Sequence, residues 1–270
     1  MSTATYREFA GSAATKYEEF FVPTIATPFS VGLLRAAALQ PGESVLDVAC
    51  GTGLIARLAA GAVGAAGSIT AVDLAPDMIE VAAATEQPDG AEIEWHQADA
   101  VSLPFPDKSF DVVLCQMGLM FIEDKAGAVE EMHRVLRPRG RVIINTPGTM
   151  QTLFENLEAS LIDHINPELS GFVRAVFSMH DPTALGRLLA DADFVEIETT
   201  QYLAQLDLPT PTEFLWQYIN LTPMAPLVAQ APETAKAAME AQFVESCAAL
   251  VVDGRVPLAQ PAVLAAARRP

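Results

Sequence analysis

The chain has 270 residues, enough for one large α/β domain with insertions or at most two small domains. Hydrophobic residues make up 51% of it and charged residues 19%, which excludes a disordered or low-complexity chain. With 34 acidic against 16 basic residues the formal net charge is -18, a surface that repels phosphate backbones and anionic lipid headgroups but not a cation.

Cys50, Cys115 and Cys247 are too few and too scattered for a disulfide framework or a metal cluster, so no metal is expected. The start, MSTATYREFA, lacks the basic region and apolar stretch of a secretory signal. No uninterrupted apolar run approaches the roughly 20 residues of a membrane span. The expectation is a cytoplasmic protein with no membrane span and no nucleic-acid partner.

Residues 5–20 are polar and helix-compatible, with Tyr6, Phe9, Tyr17 and Phe20 as apolar anchors. VPTIATPF follows and is broken by Pro23 and Pro28, and a helix is expected from about Phe29 to Leu39. SVLDVA suits a strand buried on both faces, and LIARLAAGA has a helical period. SITAVDL is β-rich, and Pro76 opens the helix PDMIEVAAAT. AEIEWHQAD and SFDVVLCQMG read as strands, AVEEMHRVL as a helix ended by Pro138 and Gly140, and RVIINTP as a strand. This alternation predicts an α/β fold: a doubly wound, mostly parallel sheet joined by right-handed crossovers.

After Pro147 the rhythm changes. Residues 149–180 and 211–254 read as helical, PTALGRLLADA as a short helix, and FVEIETTQYLAQLDL as a long strand. In the tail VPLAQPAVLAAARR the alanines suit a helix, whereas Pro257 and Pro261 argue for an edge strand; of the two, a closing strand is expected.

VLDVACGTG, residues 45–53, places Gly51 and Gly53 between a strand and a helix start. Such a turn presents free backbone N–H groups beside a gap without side chains, although a Gly-x-Gly turn also serves as a plain connection. The phosphate-loop pattern fails, because no Lys-Ser/Thr follows. Asp73 ends the next strand about 20 residues on, where an acid can accept both hydroxyls of a ribose, and Asp99 ends the third strand at the same sheet edge. Three aligned features at the ends of three successive strands point to a bound ligand.

These residues carry a resemblance. VLDVACGTG, AVDLAPDMI, HQADAVSLPFPDKSFDVVLCQMGLMF and AVEEMHRVLRPRGRVII occur in order over residues 43–146. The chain resembles a class I S-adenosylmethionine-dependent methyltransferase, of the small-molecule group similar to the ubiquinone/menaquinone-biosynthesis (UbiE-like, type 11) enzymes. The resemblance implies a seven-stranded Rossmann-like sheet with helical lid insertions, S-adenosyl-L-methionine as cofactor and S-adenosyl-L-homocysteine as its product. It implies that the turn from Ala49 to Gly53 receives the methionine part and sugar, with Asp47 helping to hold the loop. It further implies Asp73 on the ribose, Leu74 and Met78 against the adenine, and Asp99 and the Ala100 N–H on its polar edge. Gln116 would border the sulfonium, and Tyr17 and Phe20 would close the site from above. Homodimers are common in the group, but no segment here specifies an interface.

The layout expected on this basis is a helical cap over 1–42, a cofactor-binding core over 43–148, a helical lid insertion over 149–181, the rest of the core over 182–210, a second helical lid over 211–256, and a closing strand over 257–270. Methyl transfer from a sulfonium is an in-line displacement in which the protein supplies proximity, alignment and exclusion of water. No catalytic residue is fixed; His164 and His180, in the lid insertion, are the weak candidates for a base. Met150, Phe154, Leu157, Phe172, Phe177, Met179, Phe214, Trp216 and Met224 are available to line an apolar cavity, though at least half must pack as core. The expected acceptor is small and largely apolar, methylated on oxygen, carbon or nitrogen. The alternatives are a non-methylating binder of the cofactor, such as a cyclase on the same fold, and an RNA or protein methyltransferase. The charge of -18 and the lack of a basic stripe disfavour the last.

Overall fold

A computed structural model describes residues 12–270, so Tyr6 and Phe9 lie outside the described residues. The chain opens with α1 (Ser12–Lys16), continues without a break as a π-helix (Tyr17–Ala26), and passes into α2 (Thr27–Ala37). Then come β1 (Ser44–Val48), α3 (Leu54–Val63), β2 (Ser68–Asp73), α4 (Pro76–Ala84), β3 (Ile93–Gln97), β4 (Phe110–Gln116), α5 (Lys125–Val135) and β5 (Leu136–Pro147). The second half adds α6 (Thr152–His164), α7 (Ser170–Val176), α8 (Pro182–Asp191), β6 (Val195–Leu208), α9 (Pro211–Asn220), α10 (Ala225–Gln230), α11 (Glu233–Cys247) and β7 (Val256–Arg268).

The strands form one seven-stranded sheet in the order β3-β2-β1-β4-β5-β7-β6. The first five run parallel, and β7 is antiparallel to both β5 and β6. Alternate residues feed two apolar cores. Val45, Ile69, Val112, Leu114 and Ile143 pack with α3 on one face, while Leu46, Val72, Val113, Cys115 and Ile144 pack with α5 and α8 on the other. The strand order reverses between β1 and β4, which opens a crevice beyond their carboxyl ends, the usual ligand position of doubly wound sheets.

Two expectations built on proline are corrected. Pro23 and Pro28 do not break the N-terminal helix, which is continuous from Ser12 to Ala37. Around Pro23 the helix widens to π spacing, with the Thr27 N–H reaching back five residues to the Val22 carbonyl; this relieves the clash of a proline ring with the preceding turn. Pro28 follows at the junction of the π-helix with α2, just past this widened turn. The helix ends at Ala37, two residues short of the expected Leu39, because Ala38 turns left-handed (φ 46°).

The tail is a strand as expected, but not an edge strand: β7 lies between β5 and β6, and β6 is the edge. The prolines are tolerated because β5 pairs only with Ala262–Arg268, leaving Val256–Pro261 flanked by β6 alone. The Pro261 carbonyl accepts the Gly148 N–H on that open side, and in an extended residue the nitrogen points the same way. The missing N–H therefore costs no ladder bond. Helix α5 also stops earlier than expected, at Val135, because Leu136–Arg139 is already extended.

One described helical run, Ala13–Ala37, is long and apolar enough to cross a membrane by length and composition, although Lys16, Glu18, Glu19 and Arg35 interrupt it. Its apolar side is spent on the fold, with Ile25, Phe29 and Leu33 buried in the two cores.

The helices of the two late insertions pack on one another. Phe154 of α6 contacts Phe177, Phe214 and Tyr218 at ring-centroid distances of 5.0, 5.9 and 5.7 Å. Between α6 and α11, Asn156 donates to the Ser246 carbonyl and His164 pairs with Gln242. This helical layer covers the crevice at the carboxyl ends of β4 and β5.

Candidate active site

The site is built where β1 and β4 end. The backbone turns left-handed at Ala49 (φ 56°), Gly51 (φ 55°) and Gly53 (φ 88°) before α3 begins. Met117, just past β4, is left-handed too (φ 51°). Two non-glycine residues in this conformation, on neighbouring strand ends, place backbone strain at the crevice. The two turns also touch: a Cβ on Gly118 would lie 2.5 Å from the Cβ of Ala49, so only glycine allows that approach.

A small cavity opens above this turn, lined by Asp47, Ala49, Cys50, Thr52, Gln116 and Tyr17, with Val22, Ala26, Leu54 and Ile55. Asp47 is 1% exposed, and its Oδ2 finds no hydrogen-bond partner among the described residues; neither does the buried hydroxyl of Thr52. Burial pushes the Asp47 carboxyl up to about 8, with the Ala56 N–H opposing and Asp73 reinforcing the rise. Burial also raises Asp73, the Cys50 thiol and the Tyr17 hydroxyl, and Asp73 adds to the last two. The nearby cation, Arg57, is already engaged: Nη2 holds Glu18 Oε1 at 2.7 Å and Nη1 the Thr52 carbonyl at 2.6 Å. The cavity therefore holds a buried acid with an unpartnered oxygen, which a ligand carrying an ammonium or sulfonium would draw into its charged form.

Asp73 Oδ2 accepts the Gly51 N–H at 2.8 Å and Oδ1 the Ala75 N–H at 2.9 Å. The acid thus fixes the glycine turn, and each oxygen keeps a further lone pair. Gln116 donates to the Ala26 carbonyl at 3.0 Å and so ties β4 to the helix above. Tyr17 stacks on Phe21 at 4.5 Å and covers Gly51, whose missing Cβ would stand 3.6 Å from its ring. The structure therefore brings Asp47, Ala49, Gly51, Asp73, Gln116 and Tyr17 together. Met78 is buried against Ala75, and Ala100 is buried in the core beside the strand ends. Asp99 lies two residues beyond β3 and accepts the Val101 N–H, whereas Leu74 is 41% exposed. Phe20 packs against the core and lines neither cavity.

At Gly53 a Cβ would lie 2.3 Å from the Trp95 indole, so the packing of β3 against the turn itself requires glycine here. The two histidine candidates fall elsewhere: His164 pairs with Gln242 at 2.6 Å, and exposed His180 pairs with the Phe177 carbonyl at 2.9 Å. Neither lines either cavity.

Beyond Tyr17 lies a second cavity, lined almost entirely by apolar side chains. Its walls are aromatic and aliphatic: Phe21 and Phe29 from the N-terminal helix, Phe154, Phe172 and Phe177 from the insertion, and Phe121 just past β4. Of the nine residues expected to line such a cavity, Phe154, Phe172 and Phe177 do; Leu157, Met179, Phe214 and Met224 are core, Met150 packs against the core, and Trp216 donates to Glu240. Met117, Met120, Tyr218, Thr222 and Gln260 were not anticipated. Met117 and Met120 fall inside the motif DVVLCQMGLM, whose apolar residues beyond the strand were the available signal. Tyr17 lines both cavities, so a single side chain forms their common wall.

The chain matches the family model for a methyltransferase domain over residues 46–144. It is 40% identical over 110 residues to the ubiquinone/menaquinone biosynthesis C-methyltransferase UbiE of Hahella chejuensis, covering 40% of this chain and 44% of that protein. The match thus spans less than half the length of that relative. The enzyme of the same name from Ectopseudomonas mendocina is 30% identical over 178 residues, 61% of this chain and 70% of that one. Phosphoethanolamine N-methyltransferase 2 of Haemonchus contortus, solved with S-adenosylhomocysteine, shares the fold with a TM-score of 0.57 at 18% identity, over 97% of this chain and 58% of that chain. With the sheet order, the glycine turn held by Asp73 and these matches in hand, the chain belongs to the class I S-adenosylmethionine-dependent methyltransferases, in the UbiE-like group.

Proposed function

We propose that this protein transfers the methyl group of S-adenosylmethionine to a small, largely apolar organic acceptor held in the aromatic cavity. The observation that carries the reading is the shared Tyr17 wall: a small acidic cavity at the glycine turn adjoins a larger apolar one. When bound, S-adenosylmethionine would supply an activated methyl group on a sulfonium, open to in-line attack by a nucleophilic atom of the acceptor.

The chain's own residues bind and align. Asp73 holds the Gly51 N–H and would offer a remaining lone pair to the ribose hydroxyls, and Asp47, with its unpartnered oxygen, would hold the cationic part of the cofactor. Tyr17, Phe21 and the helices of the insertion cover the site and exclude water, so the two reactants meet as neighbours rather than by collision. The names of the relatives, enzymes of quinone biosynthesis, support an acceptor of mostly apolar character.

The test is transfer of a labelled methyl group to a panel of apolar ring compounds, compared with charged metabolites, RNA and protein substrates. Label in the apolar compounds supports the reading. Label only in charged or polymeric acceptors overturns it, as does cofactor that is bound but never consumed.

A further inference from the structure

The aromatic cavity holds one polar feature that its apolar walls do not explain. Gln260 of β7 lines it while only 2% exposed. Its Nε2 donates to the Thr149 carbonyl at 3.0 Å and the Pro261 carbonyl at 3.1 Å. Because both partners are acceptors, the amide cannot be turned over without setting oxygen against oxygen, so the orientation is fixed by the backbone around it. Oε1 is then left buried with no donor among the described residues. A buried unpaired carbonyl oxygen is costly, and it persists where a ligand supplies the missing donor.

We propose that Gln260 is a specificity-determining residue of the acceptor site, and that its Oε1 accepts a hydrogen bond from a hydroxyl carried by an otherwise apolar, ring-bearing acceptor. The proposal rests on the reading of the aromatic cavity as the acceptor site. Thr222, another polar residue of the wall, already donates to the Ile219 carbonyl, so its oxygen too is left to accept. Both groups ask for a donor on the ligand. Gln260 orients the acceptor without touching the methyl group, which fixes the atom presented toward the Tyr17 wall.

The experiment uses the full chain saturated with S-adenosylhomocysteine, titrated with 2-naphthol and with 2-methoxynaphthalene, which keeps the ring and oxygen but has no donor. The expected result is that 2-naphthol binds about tenfold more tightly, the effect of one buried hydrogen bond. In Gln260→Leu that preference should vanish while S-adenosylhomocysteine still binds. Equal binding of the two compounds to the native protein overturns the proposal without any variant, as does a preference that survives in Gln260→Leu. If neither compound binds while S-adenosylhomocysteine does, the apolar-acceptor reading itself falls and takes this inference with it.

Discussion

The guanidinium of Arg57 and the carboxylate of Glu18 stand 2.7 Å apart, joining α3, which grows out of the glycine turn, to the π-helix that covers it. Both side chains are largely buried, and Arg57 also holds the Thr52 carbonyl. The cover and the turn are thereby coupled through one cation. Glu18 Oε2 has no hydrogen-bond partner among the described residues, so this carboxylate depends on Arg57. Arg57→Ala should therefore cost more stability than Glu18→Gln, which leaves Arg57 its carbonyl partner. A double-mutant cycle in urea should return a coupling of about 1 kcal/mol or more. Equal losses, or the reverse order, would show that the pair does not hold the cover.

Asp47 makes cofactor binding depend on pH. Its carboxyl is raised to about 8, so in the ligand-free protein it is mostly protonated at pH 7, whereas a cationic ligand favours the carboxylate. Binding should then expel about one proton below pH 8, and affinity should rise with pH between 6 and 8 before levelling off. Titrations at pH 7 in two buffers of different ionisation enthalpy report that proton directly. Asp47→Asn should abolish it.

The same group acts on stability with a definite sign. Because the folded value lies above the unfolded one, the native state binds the extra proton between about pH 4 and 8, and Asp47 makes the ligand-free protein less stable as pH rises through that window. Asp47→Asn should raise the melting temperature at pH 8 and leave it almost unchanged at pH 4. A lower melting temperature at pH 8 would contradict the assignment.

Gly51 and Gly53 should respond differently to alanine, although they look alike in the sequence. At Gly53 the new methyl meets Trp95 as well as a left-handed backbone, and the loss should be roughly 2–4 kcal/mol. At Gly51 the nearest atom is 3.6 Å away, so only the backbone term of about 1–2 kcal/mol applies. Urea denaturation of the ligand-free variants measures both; similar losses would mean that Trp95 does not pack against the turn.

Much of this was readable from the chain. Buried runs such as SVLDV and FDVVLCQ carry their own strand signal; of the motif residues, Asp47, Ala49 and Gln116 line the small cavity, and Asp73 holds the Gly51 N–H beside it. What was not readable depends on partners distant in sequence. The insertion of β7 between β5 and β6 is a pairing choice, and Pro257 and Pro261 mislead because only half of that strand is flanked on both sides. Pro23 looks like a helix breaker until π spacing makes room for it. The packing demand on Gly53 is hidden because nothing local reveals Trp95, which is 42 residues on. Gln260 gives no sign in an alanine-rich tail that its amide is locked into a cavity built by helices a hundred residues earlier.

The central claim is that the glycine turn and the Asp73 carboxylate form the cofactor site. It is tested most directly by calorimetric titration of S-adenosylhomocysteine into the native protein and into Asp73→Ala, with folding checked by circular dichroism. Losing the group that holds the Gly51 N–H and faces the ribose should cost about 1.5–3 kcal/mol, so micromolar binding in the native protein should weaken by at least tenfold in the variant. Undiminished affinity in a folded Asp73→Ala protein, or no binding to the native protein at all, would contradict it.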